Sequence, residues 1–175
     1  MKKKGIINRG FTQHHTGAGF TLIELLIVIA IISIIAAVVF VALDPLTRFQ
    51  DARDASRWQD TTALLSGIKI DQVDNGGSYI TAITNMTSNT VYMVGTAVTG
   101  CDVPACDVVV VADDSCVDLT GLVTEGYLGS VPVSPNGEGT WDATLTGYTL
   151  TKASTGIITV QACESENSTS IFLSR

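Results

Sequence analysis

Histidine is nearly missing from this chain, and its two copies, His14 and His15, sit side by side ahead of the first apolar run. Everything downstream therefore lacks an imidazole. That excludes Ser-His-Asp and Cys-His catalysis and histidine-ligated zinc from the bulk of the protein, and two adjacent histidines without further ligands make a poor metal motif. Basic side chains are scarce too: of ten Lys and Arg, Lys2, Lys3, Lys4 and Arg9 precede residue 20, whereas all 17 acids follow it. Without residues 1–19 the chain keeps six basic against 17 acidic side chains, a formal charge of −11. Such a body is repelled by phosphate backbones, so no nucleic-acid partner is expected for it. Aromatics are only 6% although hydrophobic residues reach 46% of 175, so the apolar content is concentrated somewhere, and the length supports one modest domain with an appendage.

The concentration lies between Phe20 and Leu43, FTLIELLIVIAIISIIAAVVFVAL, where Glu24 is the one charge. As a helix this segment spans roughly 36 Å, enough for a hydrocarbon core of about 30 Å. The basic residues before it place the N-terminus in the cytoplasm and everything after Leu43 outside. A secretory signal peptide fits poorly because the run is too long, although Ala36 and Ala42 offer small-residue cut sites. A plain membrane anchor leaves Glu24 unexplained, since an ionisable group inside a membrane generally has a partner or a function. A cut between Gly19 and Phe20 supplies one: the new Phe20 ammonium can be neutralised by Glu24 of a neighbouring chain, and only one stagger of the chains lets every carboxylate reach an amine.

Gly19-Phe20-Thr21-Leu22-Ile23-Glu24, with a short basic leader before it and about twenty apolar residues after it, resembles the N-terminal signal of type IV prepilins and type II secretion pseudopilins. The resemblance covers about residues 17–60. It implies that a membrane prepilin peptidase cuts after Gly19 and methylates the amine of Phe20, that Glu24 is the assembly residue, and that no catalytic site is present. The implied partners are identical or related pilin subunits, the peptidase, an inner-membrane assembly platform, and lipid before assembly. The implied location is a single-pass membrane precursor that ends in a cell-surface or periplasmic filament. A monomeric membrane-anchored binding protein is the rival reading from another class.

Three segments follow: a leader, 1–19; a membrane or filament-core helix, 20–43; and a head, 44–175. Asp44-Pro45 suits either a kink or a fresh helix start, with Asp44 as N-cap and Pro45 at the first helical position. The helix is expected from about Leu46 to Val73, ended by Asn75-Gly76-Gly77. Arg48/Asp51, Asp54/Arg57 and Arg57/Asp60 fall at i,i+3 spacing and read as a solvated face or as pairs between subunits. Trp58, Leu64, Leu65 and Ile68 form the stripe expected to carry a sheet. Strands are expected at Val91–Val94, Val108–Ala112, Tyr148–Lys152 and Ile157–Ala162, the last two as a hairpin across Ser154-Thr155-Gly156, with the valine run of 108–111 buried on both faces. The fold class is therefore α+β: a long N-terminal helix, its apolar half protruding and its second half packed on a small antiparallel sheet.

Cys101, Cys106, Cys116 and Cys163 all lie beyond the apolar run, where export favours two disulfides. Three pairings are open. Loop closure favours Cys101 with Cys106 and Cys116 with Cys163, the second constraining the longer loop. Asp102, Asp107, Asp113, Asp114 and Asp118 crowd one region, and Asn136-Gly137-Glu138-Gly139 with Asp142 forms a second candidate for calcium. Neither has EF-hand spacing, and solvated loops explain both, so no cofactor is expected. Leu122 to Pro135 is similar to a segment many pilins place before their sheet, with Ser134 where aspartate is common, which weakens any transfer of the pseudopilin calcium site. Asn85-Met86-Thr87 and Asn167-Ser168-Thr169 match the N-glycosylation pattern and would be exposed if used.

Overall fold

The computed structural model describes residues 19–112 and 116–175, so His14, His15, Asp113 and Asp114 lie outside the described residues. The chain divides into two compact units, Met1–Asp44 and Pro45–Arg175.

In the first unit, α1 runs Leu22–Leu43 and buries none of its residues. It is apolar all round, long and apolar enough to cross a membrane, which is the pattern of a helix whose surroundings are lipid or other helices rather than water. Asp44 closes it with φ 36° and ψ 70°. That left-handed conformation belongs to a helix C-cap, and the same residue immediately precedes Pro45, the first residue of the next helix, as the Asp44-Pro45 pair leads one to expect.

The second unit opens with α2, Pro45–Asp74. Proline at its first position costs no hydrogen bond, because that amide has no partner inside a helix. At the other end Gly76 and Gly77 take φ +65° and +98°, and the Gly77 amide returns to the Gln72 carbonyl at 2.7 Å. A short helix α3, Thr81–Thr84, leads into the strand β1, Val91–Met93, and a second, α4, Thr120–Thr124, separates it from β2, Tyr148–Lys152; β3, Ile158–Ala162; and β4, Phe172–Ser174. The strands form one antiparallel sheet in the order β1-β2-β3-β4, and α2 packs on β3 and β4. The fold is α+β, as expected.

The β2–β3 hairpin turns through Gly156 at φ +86°, with the Ala153 amide on the Ile157 carbonyl at 2.8 Å. Its register pairs Tyr148 with Ala162 and Leu150 with Val160. One core gathers Leu64, Ile68, Ile83, Leu150 and Val160. Alternation along β1 turns Met93 to the opposite face from Leu150's partner Tyr92, and there a second core holds Met93, Cys101, Val110, Trp141 and Cys163.

Four expectations are corrected. Residues 108–112 form no strand: the Val111 and Ala112 amides share one acceptor, the Val91 carbonyl, at 3.1 and 3.3 Å, so no ladder develops. Nor is the valine run buried on both faces, since Val110 is 3% exposed while Val109 and Val111 are 74% and 66% exposed. Trp58 leaves the stripe, 39% exposed, because the inward row of α2 runs through Arg57, Thr61, Leu64 and Ile68, all fully buried. The cysteine pairing also differs: the bridges are Cys101–Cys116 and Cys106–Cys163. The stretch from Cys101 to Cys106 is taken up by a local turn, the Cys106 amide on the Val103 carbonyl, and the Asp107 amide on the Cys163 carbonyl at 2.7 Å draws Cys106 to Cys163 instead.

Candidate processing and assembly site

The site read from the sequence lies at the start of α1. Thr21 is extended, with φ −77° and ψ 150°, and its hydroxyl accepts the Glu24 amide at 3.2 Å; the first helical bond, Leu25 amide to Thr21 carbonyl, follows at 3.2 Å. Thr21 thus caps the helix and stops it one residue short of Phe20. The Gly19–Phe20 bond lies outside the helix, with both residues exposed, and a methyl at Gly19 would meet nothing within 4 Å. A protease needs its target reachable and free of regular structure, and this bond is both. Glu24 occupies the first turn and is exposed, at the end of a helix whose dipole favours a carboxylate. The Thr21 cap was missed in the sequence although Thr-x-x-Glu ahead of an apolar run is a capping pattern.

The other charged cluster lies inside the second unit. Arg57 is fully buried. Its guanidinium donates to Asp54 Oδ1 at 2.8 Å, Glu166 Oε1 at 2.9 Å, the Pro135 carbonyl at 3.0 Å and Ser134 Oγ at 3.1 Å, and stands 3.2 Å from Glu164 Oε1. Arg53 grips Glu166 through two nitrogens. Asp54 in turn accepts the amides of Glu166, Asn167 and Ser168, the last two at 2.9 Å. Burial by itself raises the Asp54 pKa, but those three amides and Arg57 outweigh it and hold the carboxyl below its ordinary range. The hydrogen bond from Arg53, with Arg57 behind it, lowers Glu166 against its own burial.

This network overturns the solvated-face reading for Asp54 and Arg57, which bind within their own chain. Asp60 accepts the Tyr148 hydroxyl at 2.6 Å, which together with burial raises the phenol's pKa, and Asp51 accepts the Asn167 side chain at 2.8 Å. Glu164 and Glu166 were not singled out in the sequence. The available signal was that Arg48, Arg53 and Arg57 make up half of the six basic residues after position 19.

The loop proposed as a second calcium candidate points donors, not oxygens, at its centre. The amides of Gly137, Glu138 and Gly139 and the Trp141 indole, at 2.6 Å, all donate to Glu164. Asn136 Oδ1 accepts the Trp141 amide, and Asp142 accepts Thr144 and Leu145 amides and the Thr144 hydroxyl, which lower its pKa. Asp102, Asp107 and Asp118 lie in loops around the disulfides, and among the described residues no three His, Cys, Asp or Glu side chains gather to hold a metal. All four cysteines are bridged. Asn85 is exposed, whereas the Asn167 side chain donates to Thr47 and Asp51.

An apolar helix with one first-turn carboxylate, capped just past an accessible glycine bond, suits a membrane-anchored precursor. Residues 16–40 match the family model of the prokaryotic N-terminal methylation motif, and the chain carries a prepilin signal of the type IV pilin and pseudopilin kind. The motif supports a type IV pilin-like or pseudopilin precursor and implies processing by prepilin peptidase. No curated protein and no solved structure matches the chain.

Proposed function

We propose that this protein is the structural subunit of an extracellular type IV pilus-like filament, cut after Gly19 and assembled through α1. The observation that carries the reading is the methylation motif at residues 16–40, which runs into a helix, Leu22–Leu43, none of whose residues is buried. Such a helix needs a partner once it leaves lipid. Moving from lipid into a bundle of like helices exchanges one apolar medium for another, so packing and the pair between the Phe20 amine and a neighbour's Glu24 drive assembly rather than expulsion of water. Only one stagger of the subunits brings each Glu24 to a neighbour's Phe20 amine, so the pair also selects the register between them.

Glu24→Gln tests this reading. The variant inserts and is cleaved like the parent but yields no filaments in the sheared fraction; normal filaments from it would contradict the proposal. The same signal precedes secretion pseudopilins, and where the parent chain appears separates the two: a surface filament released by shearing marks a pilus subunit, and retention in the periplasm marks a pseudopilin.

A further inference from the structure

We propose that residues 108–112 and 116–117 are a disulfide-bolted guard over the β1 edge, and that the thiol–disulfide state decides whether this edge is sealed or open to pairing with a second copy of the chain. β1 is the outermost strand on its side of the sheet. An edge strand offers unpaired carbonyls and amides to any extended chain that comes by. Here the carbonyls of Val91 and Met93 are taken without a regular ladder: the first accepts Val111 and Ala112, the second accepts Val117 at 2.8 Å, and just past the strand the Gly95 amide reaches the Val117 carbonyl at 3.0 Å. Val94 and Val117 form a single parallel bridge.

The bolts bracket these contacts. Cys106 ties the segment's start to Cys163, just past β3, and Cys116 ties its end to Cys101. Among the described residues of the guard, Val110 enters one core, beside Met93, Trp141 and Cys163, and Val117 enters the other, while Val109 and Val111 face outward. Two buried valines and a few hydrogen bonds hold a segment weakly, whereas a cross-link removes most of the freedom it would gain on leaving. Released, the stretch Val108–Ala112 would be uncharged, β-branched and free of proline, the composition that pairs edge to edge, with Asp107 as a charged flank. The edge would be bared in the same event.

Opening each bridge is a two-electron step: a dithiol reductant breaks the S–S bond, two protons complete two cysteine S–H groups, and the dithiol closes to its own disulfide. Before export the chain meets a reducing environment and afterwards an oxidising one, so the guard is set only when subunits reach the compartment where they crowd together.

The test compares the full chain in detergent micelles, oxidised and treated with dithiothreitol, by hydrogen exchange and sedimentation, with Cys101→Ser/Cys116→Ser and Cys106→Ser/Cys163→Ser as separate variants. The guard predicts that reduction speeds exchange at Val111, Ala112 and Val117 at least tenfold, leaves the β2–β3 ladder amides of Leu150 and Val160 unchanged, and produces multimers that a disulfide-intact sample does not form. Each double variant gives part of that release. Unchanged exchange at the three guard amides overturns the proposal, as does loss of protection throughout the sheet, which would make the bridges supports of the core instead.

Discussion

Asp54 and Arg57 meet at 2.8 Å inside the head, 4% and 0% exposed, and between them they fasten the segment from Glu164 to Ser168 onto the first half of α2. Asp54 takes that segment's amides and Arg57 its carboxylates. Burying charges is costly, and the arrangement holds because every one of them is met by an opposite charge or a donor.

Removing Arg57 leaves Asp54 and Glu164 buried, and the half-buried Glu166 with Arg53 alone, without their shared cation. Arg57→Ala is expected to cost about 3–5 kcal/mol in denaturant unfolding. Arg57→Lys should recover little, because an ammonium cannot span five acceptors as the planar fork does. Full stability in the lysine variant would show that only the charge matters.

Acid should loosen the same clasp. Asp54 and Glu166 have lowered pKa values in the folded state, so the unfolded chain binds more protons. Their stabilisation is complete above the unfolded carboxylate values of about 4 and is lost as pH falls through the still lower folded values. The thermal midpoint should stay level from neutral pH to about 5 and drop below about 4, with Asp54→Asn starting lower and falling less. A midpoint that rises on acidification would contradict the assignment.

Trp141→Phe keeps the ring and removes the 2.6 Å bond to Glu164. Glu164 then lacks one of its donors in a buried site, at a cost of about 1–3 kcal/mol measured by unfolding.

Two glycines should behave oppositely. A Cβ at Gly95 would fall 2.0 Å from the Thr144 carbonyl oxygen, a backbone atom that has no rotamer to yield, whereas one at Gly19 meets nothing. Gly95→Ala should lower stability by about 1–3 kcal/mol or more, and Gly19→Ala should leave unfolding of the head unchanged.

What could be read in advance was what local chemistry decides. Proline at position 45 and the Asn75-Gly76-Gly77 stop bound α2 to within a residue of its expected limits, and alternating strands about a glycine turn located β2 and β3. The α1 signal was legible because its order of glycine, aromatic, carboxylate and apolar run is itself the information. The guard misled because four valines carry strand propensity whatever pairs with them, and propensity does not know that disulfides hold the segment askew. The Arg57 network was hidden because Asp54 and Arg57 at i,i+3 look the same on a solvated face as in a core; what distinguishes them is the C-terminal segment more than 100 residues away. β4 is three residues long with two of them exposed, too short for a pattern to show. The cysteine pairing depended on the Asp107–Cys163 backbone contact, which loop-length entropy cannot see.

Everything about assembly depends on where the mature chain begins. Mass spectrometry of the N-terminal peptide from the membrane or filament fraction measures that directly. The account predicts a chain starting at Phe20 with a methylated amine. A chain starting at Met1, or one cut near Ala36 or Ala42 on the far side of α1, would contradict it.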